Sequence, residues 1–152
     1  MNLSTMIKNE GLQLENQLCF RLYSLTKLMG RHYAPVLKKL GLTYPQYLVM
    51  LVLWENNNIT SAISVKQLGD KLDLDSGTLS PLLKRLEKQQ LLRRHRNPKD
   101  ERSVEIKLTN AGCQLKVEAQ GIPAQMFSVT GMSIDELHKL NSQLDNLLAN
   151  MS

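Results

Sequence analysis

The chain has 152 residues, with 19 Lys and Arg against 14 Asp and Glu, which gives a formal net charge of +5. This length fits one domain with a real hydrophobic core and excludes repeat arrays and large multidomain enzymes. Residues 84–107 hold nine basic and four acidic side chains, so the whole excess lies in that segment. A localised positive field on a neutral body is typical of a surface that binds a polyanion, although a solvated Lys/Arg face has the same composition.

The cysteine count and the hydropathy pattern exclude several further classes. Cys19 and Cys113 form neither a disulfide framework nor a metal-ligand pattern, so no metal or cofactor is expected. The N-terminal residues lack the apolar run of a signal peptide. The longest apolar run, residues 47–54, is far shorter than the ~18 residues that span a bilayer. We therefore expect a cytoplasmic protein that does not enter membranes.

The first half of the chain has helical periodicity. Leucines recur every three or four residues and predict a first helix over residues 12–29, which Gly30 ends or bends. These leucines are Leu14, Leu18, Leu22 and Leu25. Residues 43–46 have the spacing of a capping box with an early proline, which opens a second helix through the apolar run. The polar residues 56–61 predict a loop.

Two short helices and a hairpin follow. Residues 64–67 form a second capping box that opens a helix of about eight residues, and a tight connection leads to another helix starting near Ser76. Residues 103–108 alternate apolar and polar, as a half-buried strand does. Residues 92–96 are the predicted partner strand, and residues 97–100 are the turn. This order predicts a winged helix-turn-helix.

The C-terminal third is predicted to be helical. Thr109 caps a long helix that reaches about residues 119–127, and residues 133–136 form a third capping box at the start of the last helix. A heptad seam then consists of Leu137, Leu140, Leu144, Leu147 and Met151. Such a narrow seam packs against another helix, either within its own domain or in a second subunit. The predicted fold is mainly α, with some β: one domain over residues 1–152, with a winged helix-turn-helix at 43–108 and dimerisation helices at 12–40 and 109–152.

The basic segment coincides with the second helix of this motif and with its wing. We expect the start of that helix to enter the major groove of double-stranded DNA, while the basic side chains contact phosphates and the wing tip reaches the minor groove. The candidate DNA-binding residues are Asp75 as N-cap, Ser76, Thr78, Ser80, Lys84, Arg85, Arg94, Arg96, Asp100 and Arg102. Helix capping and surface ion pairing also account for some of these residue types. A homodimer would place two such helices on an inverted-repeat operator.

All four tyrosines fall in one short stretch after Cys19. Tyr23 lies one helical turn beyond Cys19, while Tyr33 and Tyr44 belong to the following segments and would return to the thiol within the fold or across a dimer. Phenols that donate to sulfur favour the thiolate, which is the form that reacts with peroxide. The alternative remains that Cys19 is an inert apolar side chain and that the tyrosines pack in a core.

Four motifs in order resemble the organic hydroperoxide resistance regulators of the MarR family. They are residues 14–23 (LENQLCFRLY), 42–48 (LTYPQYL), 74–86 (LDSGTLSPLLKRL) and 100–104 (DERSV). The resemblance implies a dimeric winged-helix repressor with Cys19 as the peroxide sensor. It also implies that Tyr33 and Tyr44 reach the thiolate from the partner subunit, that Ser76 and Thr78 contact operator DNA, and that Arg102 enters the minor groove.

Two features depart from that family. The connection over residues 54–65 is about four residues longer, and the position of the resolving cysteine of some members corresponds to Ser128, with Cys113 much earlier. We therefore expect an organic hydroperoxide to convert Cys19 to a sulfenic acid that a small thiol caps. The alternatives are a regulator released by an aromatic ligand, an architectural DNA protein, and a thiol peroxidase. The last of these would need a resolving thiol, so we do not expect an enzyme.

Overall fold

The computed structural model describes residues 11–55, 62–98 and 100–151, with the backbone alone at residues 100–102. In chain order these residues form a 3-10 turn (Leu14–Asn16), α1 (Leu18–Lys39), α2 (Tyr44–Glu55), β1 (Ile63–Ser64), α3 (Val65–Leu72), α4 (Ser76–Lys88), β2 (Leu92–Asn97), β3 (Asp100–Leu108), α5 (Asn110–Ala119), α6 (Ile122–Thr130) and α7 (Ile134–Met151). This order confirms the mainly helical fold and the winged helix-turn-helix. The chain divides into two compact units, Met1–Glu118 and Ala119–Ser152. The assignment of residues 12–40 and 109–152 to dimerisation stays a prediction.

Helix α1 is longer than the leucine pattern indicates, and the predicted bounds of 12–29 are wrong. The helix begins at Leu18 and continues through Gly30 and Pro35 to Lys39. Glycine in a helix interior costs only about 1 kcal/mol, which tertiary packing outweighs. Leu37, which follows Gly30 and Pro35 in the helix, supplies such packing because its side chain is completely buried. Gly30 therefore does not end the helix.

The core of the first unit lies between α2, the helix-turn-helix and the base of the hairpin. Helix α2 is buried on almost every side, which matches its continuous apolar run. Helices α3 and α4 contribute one leucine-rich face each, as their periodicity predicts. The fully buried side chains from these elements include Val49, Met50, Leu68, Leu79, Leu83, Leu86, Leu92 and Ile106.

Capping boxes define two helix starts where the sequence predicts them. At α3, Ser64 Oγ accepts from Gln67 N–H at 3.1 Å, and Gln67 Oε1 accepts from Ser64 N–H at 3.0 Å. At α7, Glu136 Oε2 accepts from Ser133 N–H at 2.8 Å, and the N–H of Glu136 donates to Ser133 Oγ at 3.3 Å. These local hydrogen bonds satisfy backbone donors that the first turn leaves without intrahelical partners.

The wing is an antiparallel sheet with strand order β1-β3-β2. Strands β2 and β3 pair from Leu92↔Leu108 to Asn97↔Asp100, which confirms the predicted hairpin, and the pairing register shifts between Arg96 and Asn97. The two-residue strand β1, which pairs Ile63 with Ile106, was not predicted because it is too short to show alternation. The predicted loop at residues 56–61, and with it the longer connection, lies outside the described residues, as does Lys99 in the predicted turn.

The predicted long helix after Thr109 is instead two helices, α5 and α6. Pro123 occupies the second position of α6, and Gly121 is its N-cap residue. A proline at that position lacks the N–H that a continuous helix requires, and its ring clashes with the carbonyl four residues earlier. The same residue suits the first turn of a new helix, so the chain stops and restarts there.

Helix α7 carries the predicted heptad seam, and none of its described residues is buried. The four seam leucines are half-buried, whereas Met151 is 78% exposed. Leu148, beside the seam, is 66% exposed. Helix α7 thus retains apolar surface in the single chain.

Gly112 joins α5 to α2 and to the base of the wing. Its carbonyl accepts from Trp54 Nε1 at 2.9 Å, and its N–H donates to Thr109 Oγ1 at 3.0 Å. Lys116 Nζ also donates to the carbonyl of Trp54 at 2.9 Å. A Cβ atom on Gly112 would lie only 2.1 Å from the carbonyl oxygen of Leu91. Only glycine permits this close approach.

We therefore predict that Gly112→Ala destabilises the protein by about 3 kcal/mol, because the added methyl group pushes the wing base away from α5. Gly121→Ala is the matched control, since its Cβ would meet nothing within 4 Å and its φ is −80°. Urea unfolding should show a change of no more than about 1 kcal/mol for the control, since alanine is a poorer N-cap than glycine but meets no clash there. Equal stability of the two variants would contradict this account of the joint.

Candidate nucleic-acid interface and thiol site

The N-terminus of α4 is organised by Asp75, which is its N-cap as predicted. Asp75 Oδ1 accepts from the Thr78 backbone N–H at 2.9 Å, and Oδ2 accepts from the Thr78 hydroxyl at 2.8 Å. These two hydrogen bonds to Thr78 hold the pKa of Asp75 below its ordinary range. The Thr78 hydroxyl donates its proton inside the protein and therefore presents acceptor lone pairs outward.

Small and basic side chains follow one another along the exposed side of α4. Ser76, Ser80 and Lys84 are each four residues apart, so they share one face of the helix, and all are exposed. Arg85 is exposed near the end of the helix and Arg96 is exposed on β2. The backbones of Asp100 and Arg102 lie in β3, and their side chains are outside the described part of the chain. On the exposed side of α4, the described candidates are therefore small residues near the start of the helix and basic residues near its end.

Arg94 on β2 forms an ion pair with Glu87 near the end of α4. Its Nε and Nη2 donate to Glu87 Oε2 at 2.8 and 2.6 Å, and its backbone N–H donates to Glu87 Oε1 at 2.9 Å. The hydrogen bonds from Arg94 lower the pKa of Glu87 below its ordinary range. The sequence analysis predicted Arg94 as a DNA-binding residue and did not identify Glu87. Their spacing of seven residues across a helix end and a strand has no sequence signature.

A second polar cluster lies within the wing. Glu105 on β3 is paired across the sheet with His95 on β2. Its Oε2 lies 3.1 Å from His95 Nε2, and its Oε1 accepts from Asn97 Nδ2 at 2.7 Å. These contacts hold the two strands together close to the register shift.

Cys19 lies in the first turn of α1 and is exposed. Gln17, the N-cap residue, makes no side-chain capping hydrogen bond to that turn. Tyr23, one turn further, is 60% exposed, and Lys27 Nζ lies 5.2 Å from the centre of its ring.

Three other aromatic rings meet where α1 ends and α2 begins. The ring centres of Tyr33 and Tyr44 lie 4.8 Å apart. The ring centre of Tyr47 lies 6.0 Å from that of Tyr33 and 6.2 Å from that of Trp54. Burial, and then Tyr44, raise the pKa of Tyr33, and burial is also the main cause of a raised pKa at Tyr47. These two phenols are therefore protonated at neutral pH and can donate hydrogen bonds. Tyr47 was not among the candidate site residues, although it belongs to the same cluster.

The structure does not bring Cys19 and the Tyr33–Tyr44 pair together within one chain. Cys19 and Tyr33 are 14 residues apart on the same helix, which at 1.5 Å per residue is about 21 Å along its axis. This excludes the possibility that Tyr33 returns to the thiol within the fold. A Cys19–Tyr33 contact requires a second copy of the chain.

The described ranges lack two further features, a metal site and a membrane-spanning helix. No group of three or more His, Cys, Asp or Glu side chains there can hold a metal ion. Among the helices of that same part of the chain, none has both the length and the apolarity to cross a membrane.

The chain is similar in sequence and in fold to known transcriptional regulators. A family model described as transcriptional regulator SarA/Rot matches residues 31–119. The chain is 48% identical over 141 residues to the organic hydroperoxide resistance transcriptional regulator of Bacillus subtilis (strain 168), and the match covers 93% of each chain. It is also similar to AbfR of Staphylococcus epidermidis.

Two AbfR structures are informative. The structure of reduced AbfR bound to DNA matches at 36% identity with a TM-score of 0.72, covering 95% of this chain and 98% of that one. The structure of disulfide-formed AbfR matches at 34% identity over the same shares of the two chains, with a TM-score of 0.59.

The Asp75 cap leads to a pH prediction. Because the folded-state pKa of Asp75 is lowered, the cap stabilises the protein above the ordinary aspartate pKa, and this stabilisation is lost as pH falls through the lowered value. The melting temperature of Asp75→Ala should therefore lie below that of the parent protein from neutral pH to about pH 5, and the gap should close towards about pH 2.

Asp75→Asn is the matched control, since asparagine caps a helix equally well and does not titrate. Its melting temperature should stay near that of the parent at neutral pH. A gap between the parent and Asp75→Ala that is the same in acid and at neutral pH would contradict the assigned role of the carboxylate.

Proposed function

The chain belongs to the MarR/SarA family of DNA-binding transcriptional regulators, and from that premise we propose that it is a dimeric repressor that organic hydroperoxides release from its operator by oxidising Cys19. The observation that carries this proposal is the separation of Cys19 from the Tyr33–Tyr44 pair along α1. An exposed thiol at one end of a helix and paired phenols at the other end suit a site shared between two chains.

In this proposal α4 reads the DNA. Ser76, Thr78 and Ser80 approach base edges in the major groove, where small hydroxyl side chains permit close contact. Lys84, Arg85 and Arg96 contact phosphates, and Asp100 aims Arg102 into the adjacent minor groove. The exposed positions of the described side chains and the DNA complex of the related AbfR support this assignment.

The apolar surface of α1 supports a homodimer. Leu18, Leu25 and Leu28 are 53%, 51% and 49% exposed in the single chain. Burying apolar surface of this kind is worth about 25 cal/mol per Å², so a second copy that covers it gains stability. A two-fold dimer would also bring Cys19 of one copy near the tyrosine pair of the other, and it would present two α4 helices about one DNA turn apart.

The chemical step begins at the thiolate of Cys19. Its sulfur attacks the terminal oxygen of the hydroperoxide, the O–O bond breaks, and the alkoxide leaves as an alcohol after taking up a proton. Cys19 becomes a sulfenic acid and can no longer accept the same hydrogen bonds from Tyr33 and Tyr44 of the partner subunit. The loss of these bonds changes the packing of the dimer, and hence the spacing of the two α4 helices.

A small external thiol then completes the reaction. It attacks the sulfenic sulfur, forms a mixed disulfide and releases water. Cys113 is half-buried in the first turn of α5. We therefore assign the capping step to a thiol from solution and not to Cys113.

One observation favours a second candidate function. A cavity of about 470 Å³ lies between α3, α4 and the wing, with Lys66 and Arg94 beside the apolar Val65, Leu83 and Val104. Its size and its mixture of cationic and apolar side chains suit an aromatic ligand. In this alternative, such a ligand releases the protein from DNA without any change at Cys19.

A gel-shift titration separates the two functions. Reduced protein should bind an inverted repeat at least about 10³-fold more tightly than random duplex. Organic hydroperoxide should weaken that binding at least about tenfold, while Cys19→Ser should stay bound because it has no thiolate to oxidise. Cys113→Ser is the matched control and should release DNA like the parent. Peroxide-induced release that is unchanged in Cys19→Ser would contradict the proposal.

Mass spectrometry tests the capping step. After treatment with peroxide and a small thiol, the main product should be Cys19 carrying that thiol through a disulfide, with Cys113 reduced. An intersubunit Cys19–Cys113 disulfide as the main product would overturn the assignment.

A further inference from the structure

The end of α4 and the first wing strand are held together by one carboxylate. Strand β2 is an edge strand of the sheet, so one row of its backbone groups faces away from β3. The N–H of Arg94 belongs to that row and donates to Glu87 Oε1, while the guanidinium donates twice to Oε2. Glu87 thus binds both the backbone and the side chain of β2. Each side chain of the pair is about one-third exposed.

The covalent connection between these elements is short and locally fixed. Residues 89–91 link α4 to β2, and Gln90 has a φ of 61°, in the left-handed region that reverses the chain after a helix. The N–H of Leu91 donates back to the Leu86 carbonyl at 3.0 Å. The short link sets where β2 begins, and the Glu87–Arg94 contact lies three residues further along the strand. The strand is thus attached to α4 at two points, the link at its start and the Glu87–Arg94 contact further along. Two such points define the angle between α4 and the wing.

We propose that Glu87 is a positioning residue for DNA binding: through Arg94 it holds the wing at the angle to α4 that lets both elements contact the duplex together. This rests on the proposed placement of α4 in the major groove and of the wing in the adjacent minor groove. Arg94 then serves mainly as the wing's attachment to α4, and its charge is satisfied by Glu87.

Charge alone makes the opposite prediction. Glu87 is an acidic residue inside the basic segment of residues 84–107. Removing a negative charge from a surface that attracts a polyanion strengthens binding to any DNA sequence. A positioning role means that operator binding weakens instead, although the surface becomes more positive. The sign of the change therefore separates the two accounts.

The first experiment compares Glu87→Gln with Asp70→Asn by fluorescence anisotropy at fixed salt, on the inverted-repeat operator and on random duplex. Asp70 is exposed on α3 and undergoes the same change in charge. We expect Glu87→Gln to lose about tenfold in operator affinity and to keep or increase its affinity for random duplex. Asp70→Asn should keep both affinities or raise them slightly. Operator binding by Glu87→Gln as tight as that of the parent would overturn the proposal.

The second experiment measures whether the wing still contributes to operator affinity when Glu87 is replaced by Gln. Arg102→Ala should weaken operator binding about tenfold in the parent, and much less in the Glu87→Gln background, where the wing is already displaced. An equal loss in both backgrounds would overturn the positioning role. If Arg102→Ala has no effect in the parent, the proposed minor-groove contact fails, and the operator affinity of Glu87→Gln alone then decides for or against Glu87.

Discussion

The structure depends above all on the unbroken course of α1. Because this helix continues through Gly30, it places Cys19 and Tyr33 about 21 Å apart along one helix axis. A thiol and phenols held in this way cannot meet inside one chain. They can meet when two such helices pair, and the half-exposed leucines along α1 offer the apolar surface for that pairing. In the proposed function, a change at the Cys19 thiol therefore also changes the contact between the subunits.

The DNA-binding unit shows that charge counted along a sequence differs from charge available at a surface. The segment of residues 84–107 carries the whole net excess of +5. Within it, Glu87 engages Arg94, and Glu105 engages His95. These pairs brace the wing from its two sides, one against α4 and one across the hairpin. In the proposed function, the side chains that attract DNA are those on the exposed end of α4 and on the outer part of the wing.

Local signals in the sequence predicted much of the fold. The capping boxes, the leucine faces of the helix-turn-helix and the alternation of the wing all express short-range physics, and the structure has them where predicted. The errors arose where tertiary packing or a backbone constraint decided the outcome. Buried Leu37 supports α1 beyond Gly30 and Pro35, Pro123 divides the last predicted long helix, and β1 exists only because β3 lies beside it. Glu87 and Tyr47 were missed for a related reason, since each acts through a neighbour distant in the sequence. The candidate residues themselves followed from residue type and from family resemblance, whereas their distances required the structure.

The central claim is that the tyrosines of one copy donate hydrogen bonds to the Cys19 thiolate of the other copy. Mixed dimers test this claim most directly. One protomer carries Cys19→Ser, and the other carries Tyr33→Phe together with Tyr44→Phe. If the site is shared, the mixed dimer contains one complete site, because the remaining Cys19 faces the intact tyrosines of its partner. The account predicts that this Cys19 is oxidised by organic hydroperoxide at the rate of the parent protein, as followed by stopped-flow loss of free thiol. Oxidation at the slower rate of the dimer in which both copies carry the double tyrosine substitution would contradict it.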